Sequence, residues 1–146
     1  MSRKVLNPNQ LRMFMRPDEI RSETWPADYD PRLDGPGEEG QINMWREKSS
    51  ENWISDMDLE VEKEGVKTPV TIMHNNPGWA GDPVGARASG KPLLANGHHR
   101  VQAARVAELN KGKAYYVPVV HSDNLPDVKR LAQPDREYRD AKGMDR

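Results

Sequence analysis

The residues best suited to chemistry in this chain lie in segment 96–100, Asn-Gly-His-His-Arg, between an apolar run and a helical pattern. The apolar run at 93–95 predicts a short strand, and the glycine predicts a tight turn into the helix. The first amides of a helix have no partner within it and lie at the positive end of its dipole, so they can hold an anion. Arg100 adds a planar cationic fork suited to phosphate or carboxylate. We therefore predict a phosphate site at the start of this helix.

Each residue of this segment has an expected role. The predicted ligand-binding residues are Asn96, Gly97, His98, His99 and Arg100. His98 is also the candidate catalytic residue, because an imidazole can act as a general acid or base near neutral pH. An alternative interpretation stays open, since Asn-Gly is common turn chemistry and Arg100 could be an ion-paired surface side chain.

The same segment carries a resemblance to a known family. Residues 97–104, Gly-His-His-Arg-Val-Gln-Ala-Ala, resemble the Gly-x-x-Arg-x-x-Ala-Ala box of ParB N-terminal domains and the Gly-Cys-His-Arg box of sulfiredoxins, which share that fold. Residues 64–72 and 117–120 resemble the strands before and after the box. The resemblance covers residues 52–121 and implies a ParB/sulfiredoxin-like α/β domain with a small mixed sheet. Small stand-alone proteins of this type are frequent on phage and other mobile genomes.

The resemblance also implies a ligand. ParB domains bind CTP and sulfiredoxins bind ATP at this helix start, so a nucleoside triphosphate is the expected cofactor, with Gly97 and Arg100 as its contacts and Mg²⁺ as its companion. His98 replaces the ParB glutamate and the sulfiredoxin cysteine. Sulfiredoxin chemistry is excluded because no thiol is present, and neutral imidazole is a poor ligand for Mg²⁺. Slow hydrolysis of the nucleotide stays open.

Two other function classes remain as alternatives. A local basic strip could bind DNA, with or without the nuclease activity sometimes attached to ParB-like domains. Its contacts would be Trp79, Arg87, Lys91 and Arg105, which could also belong to a lid over the ligand. The third class is a non-enzymatic module that binds a protein partner or a second copy of itself.

A metal site is not expected, although His74 and His121 end neighbouring predicted strands. Adjacent histidines on a helix point about 100° apart, so His98 and His99 are poorly placed to chelate one ion together. The chain also has no cysteine, which excludes thiolate zinc sites and disulfides.

Composition bounds the class of protein. The chain has 146 residues, of which 35% are hydrophobic and 31% are charged, and its net charge is -1. This length allows one domain with a core, and the charge argues against nucleic-acid binding by bulk electrostatics. No apolar run reaches the length of a membrane span or a signal peptide, so we expect a cytoplasmic protein with no membrane partner.

The surrounding elements must position the site. We predict an N-terminal edge strand and turn (1–21), a Pro/Gly-rich loop (22–40), a ParB-like core (41–121) and a short helix with a charged tail (122–146). Within the core we predict helix at 41–64 with a break near Ser49, strand at 68–74, a loop or lid at 75–90, helix at 98–109 and strand at 114–121.

Two further expectations concern packing within this core. The strand, helix and strand between 93 and 121 predict a parallel, right-handed β-α-β unit. The helical spacing of Trp45, Trp53, Met57 and Val61 predicts a stripe that packs into the core rather than a cofactor site.

Overall fold

The computed structural model describes residues 12–49, 54–74 and 81–123. These ranges contain six helices and five short strands. The helices are α1 (Pro17–Glu23), α2 (Pro31–Asp34), α3 (Gly37–Glu47), α4 (Ile54–Glu64), α5 (Pro83–Ser89) and α6 (His98–Lys111). The strands are β1 (Phe14–Met15), β2 (Trp25–Pro26), β3 (Val70–Met73), β4 (Leu93–Asn96) and β5 (Val117–Ser122).

The strands form one mixed sheet in the order β1-β5-β3-β4-β2. β3 occupies its centre, parallel to β5 and antiparallel to β4, and its four residues are all buried. A strand that is covered on both faces reads as a continuous apolar run, as Val-Thr-Ile-Met does here. The prediction of a mixed α/β class is confirmed.

The predicted parallel β-α-β unit is wrong. β3 lies between β4 and β5 and pairs with them in opposite directions, so β4 and β5 run antiparallel to each other. Thr71 lies opposite Asn96 and Val70 lies opposite Val119, so the end of β4 and the start of β5 both lie beside the start of β3. α6 therefore connects two strand ends at the same end of the sheet, whereas a parallel crossover would have to return to the opposite end.

The predicted loop at 22–40 is also wrong, because its prolines stand where helices accept them. The segment contains β2, α2 and the start of α3. Pro31 is the first residue of α2, and the Asp30 side chain caps that helix by accepting from the Arg32 amide at 2.9 Å. Pro36 is the N-cap of α3. Proline here marks the beginnings of helices rather than the absence of structure.

The predicted loop or lid at 75–90 needs the same correction over its second half. Pro83 begins α5, and Asp82 caps it by accepting from the Gly85 amide at 3.1 Å. Residues 75–80 lie outside the described part of the chain, as does the helix expected after residue 123.

The core lies between the sheet and α6, which packs against α4 and α1. Its buried side chains include Val101 and Ala104 from α6, Ile72 from β3 and Ile20 from α1. Of the predicted stripe, Trp45 and Val61 are buried and Met57 packs against the core; Trp53 lies outside the described residues.

One carboxylate of α4 is poorly accommodated. Burial, and then the charge of Glu62, raises the pKa of Asp58 above its ordinary value. Its Oδ1 has no hydrogen-bond partner among the described residues. The folded state therefore disfavours the ionised carboxylate.

Replacement of this group tests that conclusion. Asp58→Asn is expected to raise the free energy of unfolding at pH 7, because it removes a charge whose pKa is higher in the folded than in the unfolded chain. The gain shrinks as the pH falls through the raised pKa, since the wild-type carboxyl then takes up a proton. Urea unfolding from pH 7 to pH 4 measures it, with Glu60→Gln on the exposed side of α4 as control. A destabilised variant, or a gain that does not change with pH, would contradict the account.

Candidate functional site

The turn into α6 is built around Gly97, which has a φ of +91°. A β-carbon at this position would overlap the side chain of Val70 on β3. The glycine is therefore required by its left-handed backbone and by close packing on the sheet.

The preceding residue joins this turn to the centre of the sheet. The Thr71 amide donates to Asn96 Oδ1 at 3.0 Å, at the point where the β3–β4 register shifts. Asn96 is buried, and its Nδ2 finds no hydrogen-bond partner in the described ranges. Asn96 thus shapes the turn by replacing a bond of the strand ladder.

His98 lies inside the protein, with 2% of its surface exposed. The Asp28 amide donates to His98 Nε2 at 3.3 Å, and His98 Nδ1 lies 3.5 Å from Asp28 Oδ2. Because Nε2 accepts, the neutral ring carries its hydrogen on Nδ1, facing the carboxylate. The ring of Trp45 also lies beside His98, with its centroid 5.7 Å from that of the imidazole.

A buried ion pair completes this junction. Lys48 is 1% exposed, and its Nζ donates to Asp28 Oδ2 at 2.7 Å. His99 Nδ1 lies 3.4 Å from the carbonyl oxygen of Lys48, which is the C-cap residue of α3. The two histidines therefore tie the start of α6 to the end of α3 and to the loop that follows β2.

Arg100 points to the other side of α6. Its Nη2 donates to the carbonyl oxygen of Pro69 at 2.9 Å, just before β3. The side chain that the sequence assigns to a phosphate thus already binds a backbone group beside the sheet.

A cleft of about 390 Å³ lies between α1, α3 and α6. It is lined by Arg21, Ile42, Trp45, Arg46, Ser49, Gln102 and Arg105, and we call it the arginine cleft. His98, Gln102 and Arg105 are spaced i, i+4 and i+7, so the cleft lies along the helix face that begins at His98.

The arginine cleft concentrates positive charge. Arg21 lies over the ring of Trp45, with its guanidinium carbon 5.2 Å from the ring centroid. Burial, and then the charge of Arg105, lowers the pKa of Arg21. Arg21 Nε is buried and makes no hydrogen bond within the described part of the chain. Arg105 Nε donates to Asp18 Oδ1 at 3.2 Å, but the Asp18 side chain is 70% exposed, so this pair offsets little of the charge.

Gln102 contributes a polar group to the same cleft. It is 6% exposed, and its Nε2 donates to Ser49 Oγ at 2.7 Å. Its Oε1 is buried, and no described residue donates a hydrogen bond to it.

The remaining predicted contacts do not gather at one place. Arg105 lines the arginine cleft, whereas Arg87 on α5 and Lys91 just beyond it are exposed and do not line it. Trp79 lies outside the described residues.

Two other histidines do meet. His74 Nε2 and His121 Nδ1 are 2.8 Å apart, and His121 Nε2 donates to the carbonyl oxygen of Arg12 at 2.7 Å. They lie at the end of β3, whereas His98 and His99 lie near its beginning, so the four histidines do not converge. In the described ranges no three metal-ligating side chains form a cluster.

Sequence reasoning missed most of the arginine cleft. The i, i+4, i+7 spacing from His98 to Gln102 and Arg105 was the available signal, because these polar residues interrupt an alanine-rich helix. Arg21 and Arg46 gave no signal, since they belong to helices whose approach to α6 depends on the tertiary fold.

Comparisons with known proteins leave the family of this chain open: no family model, curated protein or solved structure matches it. Among the described helices, none has the length and apolar character needed to cross a membrane.

The buried ion pair between Lys48 and Asp28 gives a prediction on stability. Asp28→Ala leaves the Lys48 ammonium buried without its carboxylate, so we expect the free energy of unfolding to fall by about 3–5 kcal/mol. Asp28→Ala combined with Lys48→Met removes both charges and should recover most of this loss. Chemical denaturation measures both variants.

The exposed pair between Lys67 and Glu64 is the matched control, and Glu64→Ala should cost less than about 1 kcal/mol. A double variant as unstable as Asp28→Ala alone would show that the loss does not come from the unpaired lysine.

Proposed function

We propose that this protein is a phosphate-binding module whose ligand, of the nucleotide class, occupies the arginine cleft. The observation that carries the proposal is the convergence of Arg21, Arg46 and Arg105 from three helices on one cleft in a chain of net charge -1. Guanidinium groups bind phosphate oxygens through paired, charge-assisted hydrogen bonds. Among the described residues, the negative charge that acts on Arg21 is the exposed carboxylate of Asp18, and a bound phosphate would add a second one within the cleft.

The geometry favours the cleft over the helix start that the family resemblance implies. At the start of α6, Gly97 packs on Val70 and Arg100 donates to Pro69. The arginine cleft lies two turns further along the same helix. Membership of the ParB/sulfiredoxin fold remains a hypothesis, supported by the Gly-x-x-Arg box between a strand and a helix.

We propose that the protein binds this ligand and does not hydrolyse it. His98, the candidate acid or base, faces Asp28 and does not line the cleft. No described residue that lines the cleft carries a carboxylate, so Mg²⁺ would enter through the phosphates of the ligand rather than through those residues. DNA binding receives less support, because Arg87 and Lys91 do not extend the cleft into a strip.

Calorimetric titration with CTP, ATP, GTP and pyrophosphate, with and without Mg²⁺, tests the proposal. We expect a nucleotide to bind the wild type and to raise its melting temperature by mass action. Arg105→Ala and Arg46→Ala should each weaken binding about tenfold or more, as expected for the loss of a charge-assisted hydrogen bond. Arg32→Ala, which removes an exposed arginine of α2, is the control.

Arg100→Ala separates the two locations. The proposed cleft predicts unchanged affinity in this variant, whereas a ligand at the start of α6 predicts a loss. Binding that depends on Arg100 and not on Arg105, or no binding of any of these ligands, would contradict the proposal.

A further inference from the structure

Building on the proposed function, we infer that the ligand of the arginine cleft is a phosphate ester with a hydroxyl group close to its phosphate. The observation is Gln102, whose side chain is more than nine-tenths buried in the cleft wall. Its Nε2 is engaged by Ser49, while Oε1 accepts no bond from any described residue.

The unsatisfied atom is an acceptor, which limits what can satisfy it. The fully ionised phosphate of an ester offers only acceptor oxygens, and arginine is the natural partner for these. A hydroxyl group offers one donor hydrogen, which Oε1 can accept. The arginines of the cleft can thus donate to an anionic group, and Gln102 Oε1 beside them can accept from a neutral hydroxyl.

The spacing of these groups sets the shape of the ligand. Gln102 and Arg105 lie on one face of α6, three residues apart, which is about 4.5 Å along the helix axis. A phosphate bound by Arg105 and Arg21 therefore has the Gln102 acceptor within one helical turn. The phosphate and hydroxyl groups of a sugar phosphate, including that of a nucleotide, are close enough to span this separation.

Selectivity follows from the cost of leaving Oε1 unmatched. A ligand hydroxyl that reaches Oε1 gives this buried acceptor a hydrogen bond, whereas a ligand without a donor leaves it unsatisfied. Sites with a buried group that pairs with a ligand hydroxyl reject the analogue that lacks it.

Two probes that differ only in hydroxyl groups test the inference: glycerol 3-phosphate and n-propyl phosphate. Calorimetry on the full chain should show glycerol 3-phosphate binding at least about fivefold more tightly. In Gln102→Leu the ratio of the two affinities should fall to about one. The affinity for n-propyl phosphate is retained, whereas glycerol 3-phosphate loses the hydrogen bond to Oε1. Gln41→Leu, on α3 and outside the cleft lining, should keep the preference.

The possible outcomes distinguish the hydroxyl selectivity inferred here from the phosphate binding on which it rests. Equal binding of the two probes by the wild type, or a preference that survives in Gln102→Leu, overturns the inference while Arg105-dependent phosphate binding still stands. Absence of binding by either probe and by the nucleotides overturns both. The comparison of probes on the wild type decides the matter even if Gln102→Leu fails to fold.

Discussion

The ion pair between Lys48 and Asp28 is the interaction on which this structure depends most. A lysine that is 1% exposed can keep its charge only beside a compensating group, and Asp28 Oδ2 supplies it at 2.7 Å. The same aspartate receives the imidazole of His98, and the carbonyl of Lys48 lies beside His99. Three segments far apart in the chain, the loop after β2, the end of α3 and the start of α6, are therefore held at one point.

This junction determines where the arginine cleft can form. Because the end of α3 is fixed to the start of α6, Trp45, Ser49 and Gln102 line the same cleft, and Gln102 donates to Ser49. α1 packs against α6 and brings Arg21 over the ring of Trp45. The two histidines therefore have a structural role, because their contacts orient α3 and α6, which carry arginines of the cleft. Breaking this buried ion pair would cost free energy, so the helices that line the cleft are held in position before an anion binds.

The sequence was informative where local physics decides the outcome. The Gly97 turn, the strand before it and the helix after it follow from adjacent residues, and the structure contains all three. The order of the strands could not be predicted in this way, because β3 enters between β4 and β5 through long-range pairing. In the sequence alone, Pro31 and Pro36 indicate a loop, although proline is equally compatible with the start of a helix, where both residues lie. The roles of His98 and His99 depended on Asp28 and Lys48, which no local pattern connects to them.

The most direct test of the account is an NMR titration of the ¹⁵N-labelled protein with glycerol 3-phosphate, following the backbone amides, the arginine Nε–H groups and the Trp45 indole. Binding in the arginine cleft predicts the largest shifts at Arg21 and Arg105 Nε–H, at the Gln102 side-chain amide and at Trp45. The amides of Gly97 and Arg100 should move less. Shifts centred on those two amides, or none at millimolar ligand, would contradict the assignment of the cleft as the phosphate site.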